Sequence, residues 1–395
     1  MAAASVGPGD ELLDEQRRDF IGQLADVLGK PRITSAAWAC LWFSDIETLQ
    51  NTITRVEDEA YRRLFMNLLL DEATLDMLLD WCARSKPKPK DIDSEDDPSE
   101  SHFSDDERRG RKRKASVTNK RSSSKIPRLV PTSSTQRTVT SSKASVAPTS
   151  TPTIRKRSAR ILCEKRDDST CIITGYKEPI EIAHIYPFSL GQKSKTERMR
   201  FWNTLSNFWT SEKIDSWKAE IMGPSGTEHC AHLMCLTNIA HKLWEKARFA
   251  LCPLQLSDDQ KTLTVKCFWL PTLDYRKSQS FTRRPLPIAA DLISSSKDGI
   301  PIAKLFNLAT EEKIQSGDVL TFHTTDPVNL PLPSIKLLQL QWTLHRVLAM
   351  SGAADALDDD IDPDFRRPAG AGLCWRNEVN ESEEEEEEGD EARVI

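Results

Sequence analysis

The chain has 395 residues, enough for two or three domains of roughly 150 residues, and its 38% hydrophobic residues fall short of the about 45–50% typical of a wholly packed protein. Its net charge of −6, which by itself argues against nucleic-acid binding, combines −12 in residues 351–395 (16 acidic, 4 basic) with +6 in the rest. No apolar run reaches the roughly 18 residues of a membrane helix, the N-terminus lacks a secretory signal, and nine scattered cysteines with no C-x-x-C pair indicate reduced thiols in an intracellular protein.

Residues 1–85 have the apolar periodicity of helices. Apolar side chains recur at helical spacing between residues 12 and 28, residues 29–31 interrupt the pattern, and further apolar faces follow in residues 36–43 and 61–81. These features predict a small helical bundle. Nothing in it indicates chemistry, so the functional alternative to a purely structural bundle is a module that docks a protein partner.

Residues 86–157 differ in composition and predict a disordered linker. Residues 91–107 hold nine acidic residues and no Lys or Arg, whereas residues 108–160 hold sixteen Lys or Arg and no acidic residue. With few large apolar side chains, such a segment buries too little surface to offset its ordering entropy. Its densest basic cluster, residues 108–114, is typical of a nuclear import signal or a nucleic-acid contact, with a merely solvated linker as the alternative. Residues 355–395, rich in Asp and then in Glu, predict a disordered acidic tail.

Residues 158–354 form the predicted globular domain, in which strands and helices are mixed. The last helix has Ser334 and Gly352 at its two ends as caps, and apolar side chains on several of its faces predict burial. The predicted strands cover residues 170–174, 179–186, 263–270 and 319–324, and the predicted helices cover residues 195–211, 213–221, 238–250 and 335–350.

An aromatic stretch lies within this domain, beside several Lys and Arg residues. Side chains of this kind can stack on single-stranded bases. Aromatic residues at helical spacing are more typical of a hydrophobic core, so we expect these residues to pack in the core rather than to stack on bases. The residues concerned are Phe201, Trp202, Phe208, Trp209 and Trp217.

Three segments of the domain carry the residues of one candidate site. They are CIITG (residues 171–175), EIAHIYP (181–187) and HLMCLTNIAHKLWE (232–245). In order, they predict a strand entering a turn, a strand with His184 near its end, and a strand, turn and helix. The segments resemble the HNH nucleases, and most closely the fungal HNH-domain proteins with an AHIYPFS strand. The resemblance covers residues 160–354 and implies an α+β fold, in which a ββα-metal finger is embedded in a larger mixed α/β domain.

The resemblance implies roles for individual residues. His184 matches the general base, and His241 matches a histidine that binds a divalent metal. Glu245 falls on the same helix face four residues later and matches a further ligand position. His232 stands where the family has an asparagine that ties the loop between the strands, and an imidazole can make a similar hydrogen bond.

The metal that these residues imply is Mg²⁺. Many HNH proteins carry another ligand just before the first histidine, where this chain has Ala183. Glu181 lies on the same strand face as Ala183 and is the substitute ligand. An ion held by few protein ligands keeps waters and a phosphate oxygen, which suits Mg²⁺. Mn²⁺ and Zn²⁺ are the alternatives, although Zn²⁺ in a catalytic site favours about three protein ligands.

The chemistry that follows is hydrolysis of a nucleic-acid phosphodiester bond, with DNA as the expected substrate. An imidazole, whose ordinary pKa is about 6.5, can take a proton from water at neutral pH. The resemblance therefore implies a metal-dependent endonuclease, and the basic cluster at residues 108–114 adds a nuclear location to this prediction. The alternative is a catalytically degenerate nuclear protein that binds DNA or other proteins, because Ala183 and His232 depart from the fullest motif. The sequence does not specify an oligomeric state.

Overall fold

The structure, a computed structural model, describes residues 7–82, 157–223 and 226–356. The predicted disordered linker and acidic tail lie almost wholly outside these residues, whose mixture of helices and strands confirms the predicted α+β class. The helices are α1 (Glu15–Leu28), α2 (Ser35–Phe43), α3 (Ile46–Arg55), α4 (Glu59–Leu70), α5 (Ala73–Trp81), α6 (Arg157–Arg166), α7 (Phe188–Gln192), α8 (Lys195–Leu205), α9 (Ser211–Met222), α10 (Asn238–Glu245) and α11 (Ile335–Ser351). The strands are β1 (Arg32–Thr34), β2 (Ile180–His184), β3 (Leu233–Thr237), β4 (Phe249–Leu256), β5 (Thr262–Trp269), β6 (Ser278–Ser280), β7 (Ser295–Lys297), β8 (Ile300–Ala303) and β9 (Val319–His323).

The N-terminal helices begin and end at residues with capping chemistry. The Asp14 carboxylate accepts hydrogen bonds from the first turn of α1, and Gly29 ends that helix with a left-handed φ of 60°. Thr34 caps α2 and Asp58 caps α4 through side-chain oxygens. All nine residues of α2 are buried, so this helix lies in the interior of the molecule. The segment is helical, as its periodicity predicts, apart from the short strand β1.

The central packing of the molecule joins α2 to α11, which is buried on nearly every face. The Arg346 guanidinium of α11 lies between the rings of Phe43 and Trp342, 4.6 and 4.2 Å from their centroids. Its Nη1 is 2.7 Å from Glu11 Oε2. Burial favours the neutral form of Glu11, but the ion pair with Arg346 outweighs it and lowers the pKa of this carboxyl. The N-terminal helices and the rest of the described chain therefore share one hydrophobic core.

A second set of contacts joins the end of α2 to α9. The indole of Trp209 donates a hydrogen bond to the Phe43 carbonyl at 3.1 Å. Asp45 accepts a hydrogen bond from the Thr210 amide at 2.9 Å and lies 2.7 Å from the Lys213 ammonium. The apolar faces of α2 and α5 pack inside the molecule. A module that docks a protein partner would depend on such faces.

The predicted ββα unit is present. Strands β2 and β3 pair antiparallel over five residues, from Ile180 opposite Thr237 to His184 opposite Leu233. Helix α10 follows β3 at once, and the Thr237 hydroxyl accepts a hydrogen bond from the Ala240 amide to start it. Helices α7, α8 and α9 form a long insertion between the two strands.

Three predicted elements differ from the structure. The helix predicted over residues 195–211 ends at Leu205, where a turn separates it from α9. Residues 170–174 form a turn rather than a strand, because the Gly175 amide bonds back to the Cys171 carbonyl at 2.9 Å and Gly175 takes a left-handed φ of 74°. The helix predicted over residues 238–250 ends at Glu245, because Ala247 turns the chain with a φ of 51° into strand β4. That strand belongs to the antiparallel sheet β4–β5–β9.

The aromatic residues of the insertion form core, as we favoured. All of them are buried, and Trp202 stacks on Tyr186 with ring centroids 6.1 Å apart. No helix in the described ranges is both long enough and apolar enough to cross a bilayer.

Candidate active site

Three of the predicted site residues line one cleft. His184, at the end of β2, and His241 and Glu245, on α10, face a cavity of about 240 Å³. Its apolar lining includes Trp81, from the end of α5, and Trp244. A few convergent polar groups in an otherwise apolar cleft are typical of a ligand site. The helical N-terminal region thus contributes one wall of the cleft at which the ββα unit presents its polar residues.

The pairing of β2 determines where His184 lies. Strand alternation turns Ala183 into the core, where it is fully buried, and directs His184 to the cleft with its side chain 12% exposed. The Trp244 indole donates a hydrogen bond to the His184 carbonyl at 3.3 Å, which holds α10 against the end of the strand. The Phe188 ring lies 5.2 Å from the imidazole and supports it from α7.

His241 lies between two carboxylates. Its Nδ1 is 2.6 Å from Glu181 Oε2, and its Nε2 is 3.5 Å from Glu245 Oε1. Nε2 of His241 and Oε1 of Glu245 are close enough together to bind one ion at about 2.1 Å each. Glu181 is hydrogen-bonded to the other ring nitrogen, Nδ1. A carboxylate in this position commonly orients a metal-binding histidine. The hydrogen bond from Lys242 to the second oxygen of Glu245 raises the pKa of Lys242, so α10 also carries a cation here.

A buried carboxylate contacts His184 directly. Glu228 Oε1 is 2.7 Å from His184 Nε2, and the Glu228 side chain is 1% exposed. Glu228 lies in the loop between α9 and β3. No motif spacing marks a residue in the middle of an insertion, so the sequence alone does not predict a role for Glu228.

His232 is not in the cleft. Its Nδ1 is 3.0 Å from the Gly226 carbonyl, so it joins the start of β3 to the loop that follows α9. The His232 carbonyl also accepts a hydrogen bond from the Ile185 amide at 2.9 Å. Burial, and then the nearby His229, lower the pKa of His232 to about 4. Burial also lowers the pKa of His345, on α11, to about 4.

Acidification below pH 6.5 is expected to destabilise the protein through these two histidines. In the unfolded chain they take up protons near pH 6.5, whereas in the fold they resist protonation down to about pH 4. The unfolded state therefore binds more protons between these values, and stability falls as the pH falls by about 1.4 kcal/mol per pH unit for each histidine. Urea unfolding at pH 7.5, 6 and 5 measures this slope. The His232→Gln variant should show a shallower slope, and an identical slope would contradict the assignment.

A second cluster of metal-binding residue types lies between α6 and β3. The Cys163 sulfur is 4.0 Å from the Cys235 sulfur and 3.6 Å from Asp167 Oδ2. That carboxylate already accepts hydrogen bonds from the Arg166 guanidinium at 2.8 Å and the Cys235 amide at 2.9 Å. The contact with Cys235, together with burial, raises the pKa of the Cys163 thiol and keeps it protonated. The cluster is therefore a hydrogen-bonded part of a small buried cluster between α6 and β3, and none of its three residues lines the cleft.

One part of the chain matches a known family model. Residues 171–251 match a family model described as HNH endonuclease. The matched segment runs from the turn before β2 to the start of β4 and includes His184, His241 and Glu245. No curated protein and no solved structure matches the chain.

Proposed function

We propose that the protein is a metal-dependent endonuclease that hydrolyses phosphodiester bonds in DNA. The observation that carries the proposal is the convergence of His184 with the pair His241 and Glu245 in one cleft. All three residues lie within the segment that matches the HNH endonuclease family model. A histidine base beside a pair of metal-binding groups is the arrangement that metal-assisted hydrolysis needs.

In the proposed reaction His184 is the general base. Its imidazole accepts a proton from a water molecule, and the oxygen of that water forms a bond to the phosphorus as the bond from phosphorus to the 3′ oxygen breaks. The products are a 5′ phosphate and a 3′ hydroxyl, which takes its proton from solvent. The apolar walls formed by Trp81 and Trp244 limit the water around the imidazole, which strengthens the electrostatic interactions there.

The residues for a divalent metal are Nε2 of His241 and Oε1 of Glu245, whose separation and chemistry fit one ion. Mg²⁺ is the proposed ion because two protein ligands leave most of its shell to waters and phosphate, and Mn²⁺ and Zn²⁺ are the alternatives. When bound, the ion neutralises charge on the phosphate and stabilises the leaving oxygen. Glu181 is proposed to orient His241 through Nδ1 rather than to bind the metal itself. His232 is proposed as the tether of the loop before β3, which its contact with Gly226 supports.

DNA and the nucleus are proposed from the charge pattern of the chain. Residues 108–160 carry sixteen Lys or Arg and no acidic residue. Such a segment binds a phosphate backbone by releasing counterions, without reading sequence. The cluster at residues 108–114 is the proposed nuclear import signal.

Nicking of supercoiled plasmid by the purified full chain tests the proposed function. We expect nicking with Mg²⁺ or Mn²⁺ and none with EDTA. The His184→Ala variant should nick about 10³-fold more slowly, because general-base catalysis is lost while the metal residues remain. Equal rates for the two proteins, or no cleavage of plasmid, single-stranded DNA or RNA by the native chain with Mg²⁺, Mn²⁺ or Zn²⁺, would contradict the proposal.

A further inference from the structure

Glu228 is a buried carboxylate that contacts the proposed base directly. Its Oε1 lies 2.7 Å from Nε2 of His184, and its side chain is 1% exposed. A carboxylate removed from water is costly unless it accepts hydrogen bonds, preferably from a group that can carry positive charge. His184 is such a group. The short distance therefore identifies a charge-assisted hydrogen bond rather than an incidental contact.

The backbone around Glu228 is tightly packed, so the contact does not depend on a mobile loop end. The preceding residue, Thr227, is buried against Gly191 of α7. A Cβ placed on Gly191 would lie 2.6 Å from the Thr227 methyl carbon, which shows how closely the two segments approach. The His232 side chain, four residues after Glu228, bonds to the carbonyl of Gly226, two residues before Glu228, at 3.0 Å. The loop is therefore fixed on both sides of Glu228.

This contact selects one tautomer of the imidazole. An ionised carboxylate can accept a hydrogen bond but cannot donate one, so Nε2 of His184 must carry the proton. In the neutral ring the other nitrogen, Nδ1, is then the one with a lone pair that can accept a proton. When His184 takes a proton from water, the resulting imidazolium stands beside the negative charge of Glu228. A catalytic base needs both effects, the correct tautomer and stabilisation of its protonated form.

We infer that Glu228 is a positioning residue, which holds His184 as the Nε2–H tautomer and stabilises its protonated state. Its consequence for catalysis rests on the proposed function, whereas the tautomer of His184 can be measured whether or not the protein cuts DNA. Glu228 does not touch the reacting atoms. Its effect is expected on the rate of the chemical step and not on the binding of substrate or metal.

The direct test is ¹⁵N NMR of the full chain labelled at histidine, without metal, at pH 7.5. The signal of His184 is identified by its loss in His184→Ala. We expect the nitrogen shifts of the Nε2–H tautomer in the native protein and a mixture of tautomers in Glu228→Gln, because a buried amide can present either its oxygen or its NH₂ group. An Nδ1–H ring in the native protein, or an unchanged tautomer in the variant, overturns the inference. This outcome is independent of nuclease activity.

The kinetic test uses the same variant with the native nuclease. Glu228→Gln should lower kcat by about 10²–10³-fold, with KM and Mn²⁺ affinity within twofold of the native values. Glu228→Asp, which restores the carboxylate, should have a kcat at least about tenfold higher than that of Glu228→Gln. If Glu228 only filled space, the shorter Asp side chain would not restore kcat. Glu212→Gln, on the exposed face of α9, is the matched control and should leave kcat unchanged. A kcat within twofold for Glu228→Gln overturns the inference while leaving the nuclease proposal intact.

Discussion

The His241→Ala variant is expected to bind a divalent metal at least about 10²-fold more weakly and to nick DNA about 10⁴-fold more slowly than the native chain. His241 and Glu245 are the two proposed protein ligands, and their facing atoms are 3.5 Å apart. Without the imidazole, the remaining carboxylate is 40% exposed and is already engaged by Lys242 at 2.7 Å. A single ligand of this kind cannot hold an ion at millimolar concentration. Mn²⁺ binding followed by electron paramagnetic resonance measures the first effect, and plasmid nicking measures the second.

Two further variants make this experiment specific. His323→Ala removes an exposed histidine from β9, far along the chain from the cleft residues, and should change neither quantity. Glu181→Gln keeps both proposed ligands but weakens the orientation of the ring, so a loss of about tenfold in metal affinity is expected, clearly smaller than that of His241→Ala. Metal binding by His241→Ala within threefold of the native value would refute the assignment. A loss in Glu181→Gln as large as that in His241→Ala would mean that Glu181 binds the ion directly.

The sequence predicted the cleft because local geometry determines most of it. His184 lies at the end of a strand, and His241 and Glu245 lie four residues apart on a helix that follows the partner strand, so strand pairing and helical periodicity suffice to bring them together. The limits of α11 were also predictable, because Ser334 accepts from the Leu337 amide and Gly352 adopts a left-handed φ of 72°. In both cases the decisive interactions join residues a few positions apart or in neighbouring strands.

The parts that escaped prediction depend on contacts between residues distant in sequence. Apolar periodicity showed that α2 and α11 each bury a face, but it cannot show that they bury these faces against each other. The same limit applies to Trp81, which lines the cleft from a helix more than a hundred residues before His184, and to Glu228. The predicted strand at residues 170–174 failed because turn residues there, above all Gly175, outweigh the β propensity of two isoleucines.

Removing residues 1–82 is expected to abolish folding of the rest of the chain. The deletion uncovers the face of α11 against which α2 packs, with all nine α2 residues buried in the native fold. It also leaves Arg346, whose side chain is 3% exposed, without Glu11. The ion pair is lost, and each large apolar side chain that returns to water costs about 1.5–3 kcal/mol. Together these losses exceed the roughly 5–15 kcal/mol by which a folded domain is stable.

A matched set of chains distinguishes this core role from a detachable docking module. Residues 153–395 alone should be insoluble or should lack a cooperative thermal transition, whereas a chain in which a shorter Gly/Ser linker replaces residues 89–152 should fold, because the shared core is built from residues before and after that range. Co-expression of residues 1–88 with residues 153–395 should restore a soluble two-chain complex, since the interface between them is hydrophobic core rather than a transient contact. A soluble, cooperatively melting 153–395 fragment would show that the N-terminal helices are dispensable for the fold. In that case the wall that Trp81 provides would be an addition to a nuclease domain that already stands alone.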